Sequence, residues 1–216
     1  AKARPDGYTL FMGQVSSHGI APAVYKNLQY DPVADFAPIK LLMSIPNVMV
    51  VNKDSPYQTA AEFLAAAQSE GKTFGSSGVG SSIHLSGEMF KSRTKADMTH
   101  VPFRGSGEAV PALLAGDVDV MFDNLPSAMP HIQSGALRAL AVTTPERSDK
   151  LADVPTLDEL DIPELDGLAA RSWFGLLAPA GTDEAIVATL SDALDQVIVS
   201  DGFVKFADTR GAQIEG

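Results

Sequence analysis

The chain contains no cysteine, which excludes disulfides, thiolate chemistry and cysteine-ligated zinc and leaves the redox compartment open. It has no run of eighteen apolar residues, so no stretch is long enough to cross a bilayer as a helix. Positive charge is scarce: 16 Lys and Arg against 27 Asp and Glu give a net charge of −11. That balance argues against nucleic acid and against anionic membrane surfaces as partners. An anionic ligand would have to be held by local donors, against the global field. Residues 1–7 run straight into a strand-like segment at 8–12, with no signal peptide ahead of it, so the chain reads as starting in the middle of a fold. What is present, 45% hydrophobic and 20% charged residues over 216 positions, suits a folded protein with a real core, in one large domain or two small ones.

The most informative stretch is GSSGVGSSIH at residues 75–84. It follows a short apolar entry (Thr73, Phe74) and leads into Leu85, Met89 and Phe90 at helical spacing. A strand that dissolves into glycine and serine and then opens a helix brings backbone N–H groups, hydroxyls and a helix N-terminus to one place, which favours an anion. Ser81 or Ser82 is the natural N-cap. No lysine follows the glycines, so this is not a Walker A phosphate loop. A turn that only caps a helix would look the same in sequence. A shorter version of the passage, GQVSSHG, occupies residues 13–19.

Patterning along the chain predicts a buried strand at 8–12, a turn at 30–36, and extended segments at 39–43 and 47–51 split by Pro46. A helix with capping-box spacing starts at Thr59 and stops near Gly71. A helix follows at 82–93, a strand at 98–103, a helix from the 104–107 turn to Gly116 with Pro111 inside it, and a strand at 118–122 ending in Asp123 and Asn124. A Pro-flanked helix then runs to Ser134 and a strand covers 137–143. Residues 145–167 are acidic, turn-rich and without period. A strand at 172–178 is closed by Pro179, and Thr182 is expected to cap a helix whose apolar stripe is Ile186, Val187, Leu190, Leu194, Val197 and Ile198. A last helix runs from Asp201 to before Gly211. Alternating strands and helices predict an α/β fold with a parallel-dominated sheet, where ligands sit at the carboxyl ends of strands. Residues 13–18, 75–84, 104–106 and 123–124 all fall there.

The ordered motifs PDGYTL (5–10), YDP (30–32), PNV (46–48), the 75–84 loop, VPFRG (101–105), DVMFDN (119–124), LRALAV (137–142), DVPT (153–156) and WFGLLAPAG (173–181) span nearly the whole chain. Together they closely resemble the tripartite tricarboxylate transporter substrate-binding proteins, also called the Bug or TctC family. The resemblance implies a periplasmic solute-binding protein of the type II periplasmic-binding-protein fold, with two lobes joined by two crossing strands. It implies a small carboxylate held between the lobes, delivery to membrane permease subunits, no cofactor and no membrane insertion. On that template residues 1–46 and 179–216 form the first lobe, 53–171 the second, and 47–52 and 172–178 the hinge strands. The family's first strand, its Pro-Gly-Gly loop and its last helix have no counterpart here, so the first lobe is expected to be incomplete and binding by residues 1–216 weakened.

For the ligand, the loop amides of Gly78, Gly80, Ser81 and Ser82 and the hydroxyls of Ser77, Ser81 and Ser82 are expected to hold one carboxylate without any lysine. Ser16, Ser17 and His18 of the first lobe would close over it. His84, one turn into the helix, reads either as facing the ligand or, more plainly, as a buried histidine tied to a backbone carbonyl. Arg104, with Gly105 and Ser106 behind it, and Arg171 are the cations available for a second carboxylate, and each alone is equally a solvated surface arginine. Asp123 is expected to order neighbouring amides, and Asn124 to donate to ligand or water. His100 and His131 have no carboxylate or histidine partner at ligand spacing, which disfavours a metal site. A hydrolase built on Ser81, His84 and Asp123 is disfavoured because serine and histidine three apart at a helix start stack side by side, and no Gly-x-Ser-x-Gly elbow is present. A sensing module that presents its ligand-bound form to a receptor is the remaining alternative.

Overall fold

Between Pro46 and Arg171 successive strand residues point alternately into two apolar layers, and that alternation fixes the architecture. The computed structural model describes residues 1–216 and divides into two units, Ala1–Ile45 with Ser172–Gly216, and Pro46–Arg171. In the second unit the end of β2 (Phe36–Asn52) pairs antiparallel with both β5 (Val120–Asn124) and β6 (Leu137–Val142). β3 (Lys72–Ser76) lies parallel to β4 (Met98–Pro102) and to β5. On one face Met49, Val51, Phe74 and Phe122 meet Phe63 and Leu64 of α2 (Ala60–Ser69) and Phe90 of α3 (Ser82–Thr94). On the other, Val48, Val50 and Met121 meet Ala109 and Leu113 of α4 (Ser106–Ala115) and Leu125 and Ala128 of α5 (Leu125–Gln133). Phe63, Phe74, Phe90 and Phe122 are fully buried, each contributing about 1.5–3 kcal/mol by removal from water.

The sheet is mixed rather than parallel-dominated: only the β3 pairings are parallel, because β2 and β6 run against the βα units. β2 also runs unbroken through Pro46. Its registers put Met43 and Ser44 against β8 (Gln213–Ile214) and Asn47 onward against β5. Pro46 thus falls where the strand changes partners, a place that tolerates a missing N–H. The acidic stretch at 145–167 forms three single 3₁₀ turns, Asp149–Leu151, Asp158–Leu160 and Pro163–Leu165. Despite its lack of period it buries Leu157, Leu165 and the following Leu168 in the α2/α3 layer.

In the first unit β7 (Arg171–Pro179) pairs antiparallel with β1 (Phe11–Gln14), Phe11 opposite Leu177 and Gln14 opposite Phe174. The strand expected at 8–12 therefore sits later and is not buried: Tyr8 is 94% exposed, and Phe11 and Met12 are both exposed. The cause is its place at the edge of the sheet, with β7 as its one neighbour. The chain continues into a π-helical turn, Val15–Ile20, and α1 (Ala21–Val24). α6 (Glu184–Ile198) is capped by Asp183, whose carboxylate accepts from the Ala185 amide at 2.8 Å. Thr182, the expected cap, instead donates to the Pro179 carbonyl at 2.8 Å. Of the α6 stripe only Ile198 is buried. α7 (Asp201–Asp208) starts from the Ser200 cap.

Candidate functional site

β3 ends in Ser76, which is fully buried, and the next residues turn sharply through two left-handed glycines, Gly78 (φ +124°) and Gly80 (φ +80°). A side chain at either would be strained, which is why the sequence spends glycines there. The turn closes on itself. The Gly78 amide donates to Ser76 Oγ at 3.1 Å, and the Ser81 amide and hydroxyl both reach the Gly78 carbonyl, at 3.2 and 2.8 Å. Ser81 Oγ in turn accepts from the His84 amide at 3.1 Å, the N-cap bond of α3. One turn further on, a Cβ at Gly87 would collide with the Phe74 ring, so glycine lets α3 lie directly on β3.

These bonds revise the expected donor set. The amides of Gly78, Gly80 and Ser81 are engaged within the turn, and the one proton of the Ser81 hydroxyl is given to Gly78. The donors that point outward from a helix start are the first amides of α3, those of Ser82 and Ile83, which no intrahelical carbonyl can reach. Beside them lies a polar chain that the sequence did not advertise. Asn124 Nδ2 donates to Asn47 Oδ1 at 2.6 Å and reaches Ser82 Oγ at 3.4 Å. Asn47 Nδ2 donates to Ser86 Oγ at 3.1 Å. Asn47 and Ser86 are both buried. An amide side chain in an apolar strand, immediately after a proline, was the available signal for Asn47. The network fixes Ser82 and Asn124 at the start of α3, where the helix dipole favours an anion.

His84 is held by the turn and not by a carbonyl. Its Nδ1 accepts from the Gly80 amide at 3.2 Å, so the ring is neutral there and carries its proton on Nε2, 3.8 Å from Glu88 Oε1. His100 does have a histidine beside it, contrary to the spacing argument: the two rings lie 4.1 Å apart, centroid to centroid. β4 is parallel to β3 with His100 opposite Phe74, a neighbour relation that sequence distance conceals. His100 Nε2 sits 2.6 Å from Ser76 Oγ, and its ring stacks on Phe74 at 4.9 Å. Burial, and then the neighbouring His84, push the His100 pKa down to about 4. Burial lowers His84 as well, with Glu88 opposing. No group of three or more His, Asp or Glu side chains gathers at metal-binding spacing.

Asp123 is fully buried on the α4/α5 side of the sheet. Its Oδ1 accepts from Ser106 Oγ at 3.0 Å, and its Oδ2 has no hydrogen-bond partner. Its polar contact is with Ser106 at the start of α4. Burial pushes its carboxyl pKa up, against the hydroxyls of Ser127 and Ser106 and the Asn124 amide. A carboxyl that holds its proton more tightly folded than unfolded loses stability as pH climbs from the ordinary carboxylate range through the raised folded value. Asp123→Asn is accordingly expected to be about 1–2 kcal/mol more stable than the wild type at neutral pH. That advantage should shrink as acid reprotonates Asp123 in the wild type, measured as urea midpoints of both proteins across pH. An unchanged or lower neutral midpoint would contradict it. Gly105 (φ +99°) is the N-cap of α4, and Arg104 is exposed with its amide on Glu108 Oε2 at 3.1 Å. Arg171 opens β7 and is half-buried.

In the first unit Ser17 Oγ donates to the Gln14 carbonyl at 3.1 Å and accepts from the Gln14 amide at 3.2 Å. Ser17 Oγ also lies 2.9 Å from His18 Nδ1. His18 Nε2 is buried without a hydrogen-bond partner, and the ring is surrounded by Phe11, Tyr30, Phe36 and Trp173 at centroid distances of 5.7, 6.0, 4.8 and 6.5 Å. Ser17 works here as a cap and His18 as the centre of an aromatic cluster. Ser16 is half-buried within the same π-helical turn, its carbonyl accepting from the Ala21 amide.

Residues 1–214 match the profile of the tripartite tricarboxylate transporter family receptors. The chain belongs to this family. BugT of Bordetella pertussis is 33% identical over 215 residues, 98% of this chain and 65% of its own length. Among solved structures, Rhodopseudomonas palustris Rpa4515 with adipate superposes with a TM-score of 0.91 at 35% identity, covering 100% of this chain and 72% of that one. MatC (Rpa3494) from the same organism, with bound malate, gives 0.88 at 34%, covering 98% and 72%. The chain spans 64–65% of the length of the first curated relatives it matches. The fold is the α/β fold of the periplasmic binding proteins in this family, BugD among them. Ser81 gives its proton to the Gly78 carbonyl and His84 Nδ1 takes the Gly80 amide, so the two side chains do not bond to one another.

Proposed function

We propose that this receptor-family protein captures a small carboxylate in the periplasm and hands it to the membrane permease subunits of a tripartite tricarboxylate transporter. The observation that carries this reading is the start of α3. The Ser82 and Ile83 amides and the Ser82 hydroxyl lie at a helix N-terminus, where Asn124 and a buried Asn47–Ser86 network hold Ser82 in place. Charge-assisted hydrogen bonds to such donors contribute about 1.5–3 kcal/mol each, enough to hold a carboxylate in a protein of net charge −11 without a lysine. The relatives point the same way, one solved with adipate and another with malate. Ser77 at the turn, with Arg104 and Arg171 of the same unit, remain candidates for the ligand's other end.

A thermal-shift titration with adipate, malate and citrate, alongside neutral sugars and amines as controls, tests the reading. A ligand at about a hundred times its Kd adds about 2.7 kcal/mol of stability, so at least one acid should raise the midpoint in a saturable way. A flat response to every acid, with a shift from a sugar or an amine, would overturn it.

A further inference from the structure

We propose that His84 and His100 act together as a proton-sensitive latch on the turn that opens α3, with the neutral pair holding the turn in its binding shape. This rests on the carboxylate reading of that turn and adds its regulation.

Each histidine holds one of the two left-handed glycines. His84 Nδ1 takes the Gly80 amide directly, at 3.2 Å. His100 Nε2 reaches Ser76 Oγ at 2.6 Å, and that hydroxyl also touches the amide and carbonyl of Gly78, at 3.1 and 3.2 Å. His84 stands at the third position of the helix, where a capping box places Glu or Gln to reach back to an amide. The reciprocal bond is present, from the His84 amide to Ser81 Oγ at 3.1 Å. Histidine thus fills the place of a capping glutamine, but its acceptor is a lone pair that a proton can remove.

Protonation at Nδ1 would set one N–H against the N–H of Gly80, so either the ring turns away or the glycine moves. The charged groups that face the pair are few. Glu88 lies one turn along α3 from His84, at 3.8 Å, and favours the charged form. Lys91 of α3 disfavours it at His100. Across α3 and β4 each ring faces the other at 4.1 Å. Two imidazolium rings at that separation repel, so the pair takes up its protons in separate steps, the last of them well below the ordinary histidine range. Burial lowers both rings in the same direction. The turn is therefore intact at neutral pH and loosens on acidification. A histidine that merely attracted the anion would act with the opposite sign, strengthening binding in acid.

The test uses His84→Gln, whose side-chain oxygen can take the Gly80 amide and cannot titrate. Amide NMR spectra of the ligand-free 216-residue chain are recorded from about pH 8 to about pH 4, and adipate affinity is measured at about pH 8 and about pH 5. The Gly80 amide resonance should move with a midpoint below the ordinary histidine value in the wild type and stay fixed in His84→Gln. Adipate affinity should fall about three- to tenfold more in the wild type than in His84→Gln, which corrects for the titration of adipate itself. A Gly80 resonance that ignores pH, or that moves equally in both proteins, would overturn the latch. So would tighter binding in acid in the wild type alone. If neither protein binds adipate at either pH, the carboxylate reading fails for this probe, and the Gly80 titration still decides the latch.

Discussion

Replacing Ser82 with Asp is expected to weaken carboxylate binding by a hundredfold or more while leaving the fold intact. Ser82 is the first residue of α3, and an acid there sits beside the helix-start amides that the ligand would use. Two like charges about 4 Å apart near a protein surface repel by about 4 kcal/mol, which dwarfs any single hydrogen bond lost with the serine. The same carboxylate is favourable to the helix itself, by about 0.3–1 kcal/mol at an N-terminus, so the variant should unfold at or slightly above the wild-type midpoint. Function and stability therefore separate in one protein. Calorimetric titration with the acid that binds best, alongside thermal unfolding, reads both. Equal affinity in the two proteins would remove this turn from the site.

The second large effect is structural. Phe74→Ala is expected to cost about 3–5 kcal/mol of stability. The ring is fully buried, lies where a Cβ on Gly87 would stand, and stacks on His100 at 4.9 Å and more distantly on His84 at 6.3 Å. Removing it opens a cavity under α3 and takes away the floor beneath both histidines at once. Because α3 rests on β3 through this contact, neighbouring side chains have little freedom to fill the gap, which places the cost toward the upper end of such substitutions. Urea unfolding followed by Trp173 fluorescence and by far-UV circular dichroism checks it. A loss below about 1 kcal/mol would mean that the layer repacks freely.

The elements most legible in the sequence were those whose causes are local. The Thr59 cap, with Oγ1 accepting from the Glu62 amide at 3.1 Å, and the start of α3 at Ser81 follow from residue type and spacing alone. The order of motifs also carried the family. What escaped reading depends on neighbours distant in the chain. Pro46 looked like a strand break because sequence does not show that β2 changes partners there. The His84–His100 pair depends on β4 lying parallel to β3, which no spacing between 84 and 100 reveals. The turn at 75–84 was found, but which of its amides face outward was not. That depends on Ser76 and His84 reaching back to Gly78 and Gly80, a matter of rotamers and of the left-handed glycines. Thr182 and Asp183 are both good caps, and only the backbone path after Pro179 selects the second.

The most direct measurement is an amide chemical-shift map of the isotopically labelled 216-residue chain during titration with adipate, a method that still reports millimolar binding. The largest saturable shifts should fall on the Ser82 and Ile83 amides, with Gly78 and Ser81 moving less because their amides are already bonded within the turn. Saturable shifts that leave the start of α3 untouched would contradict the assignment of the carboxylate to this helix terminus.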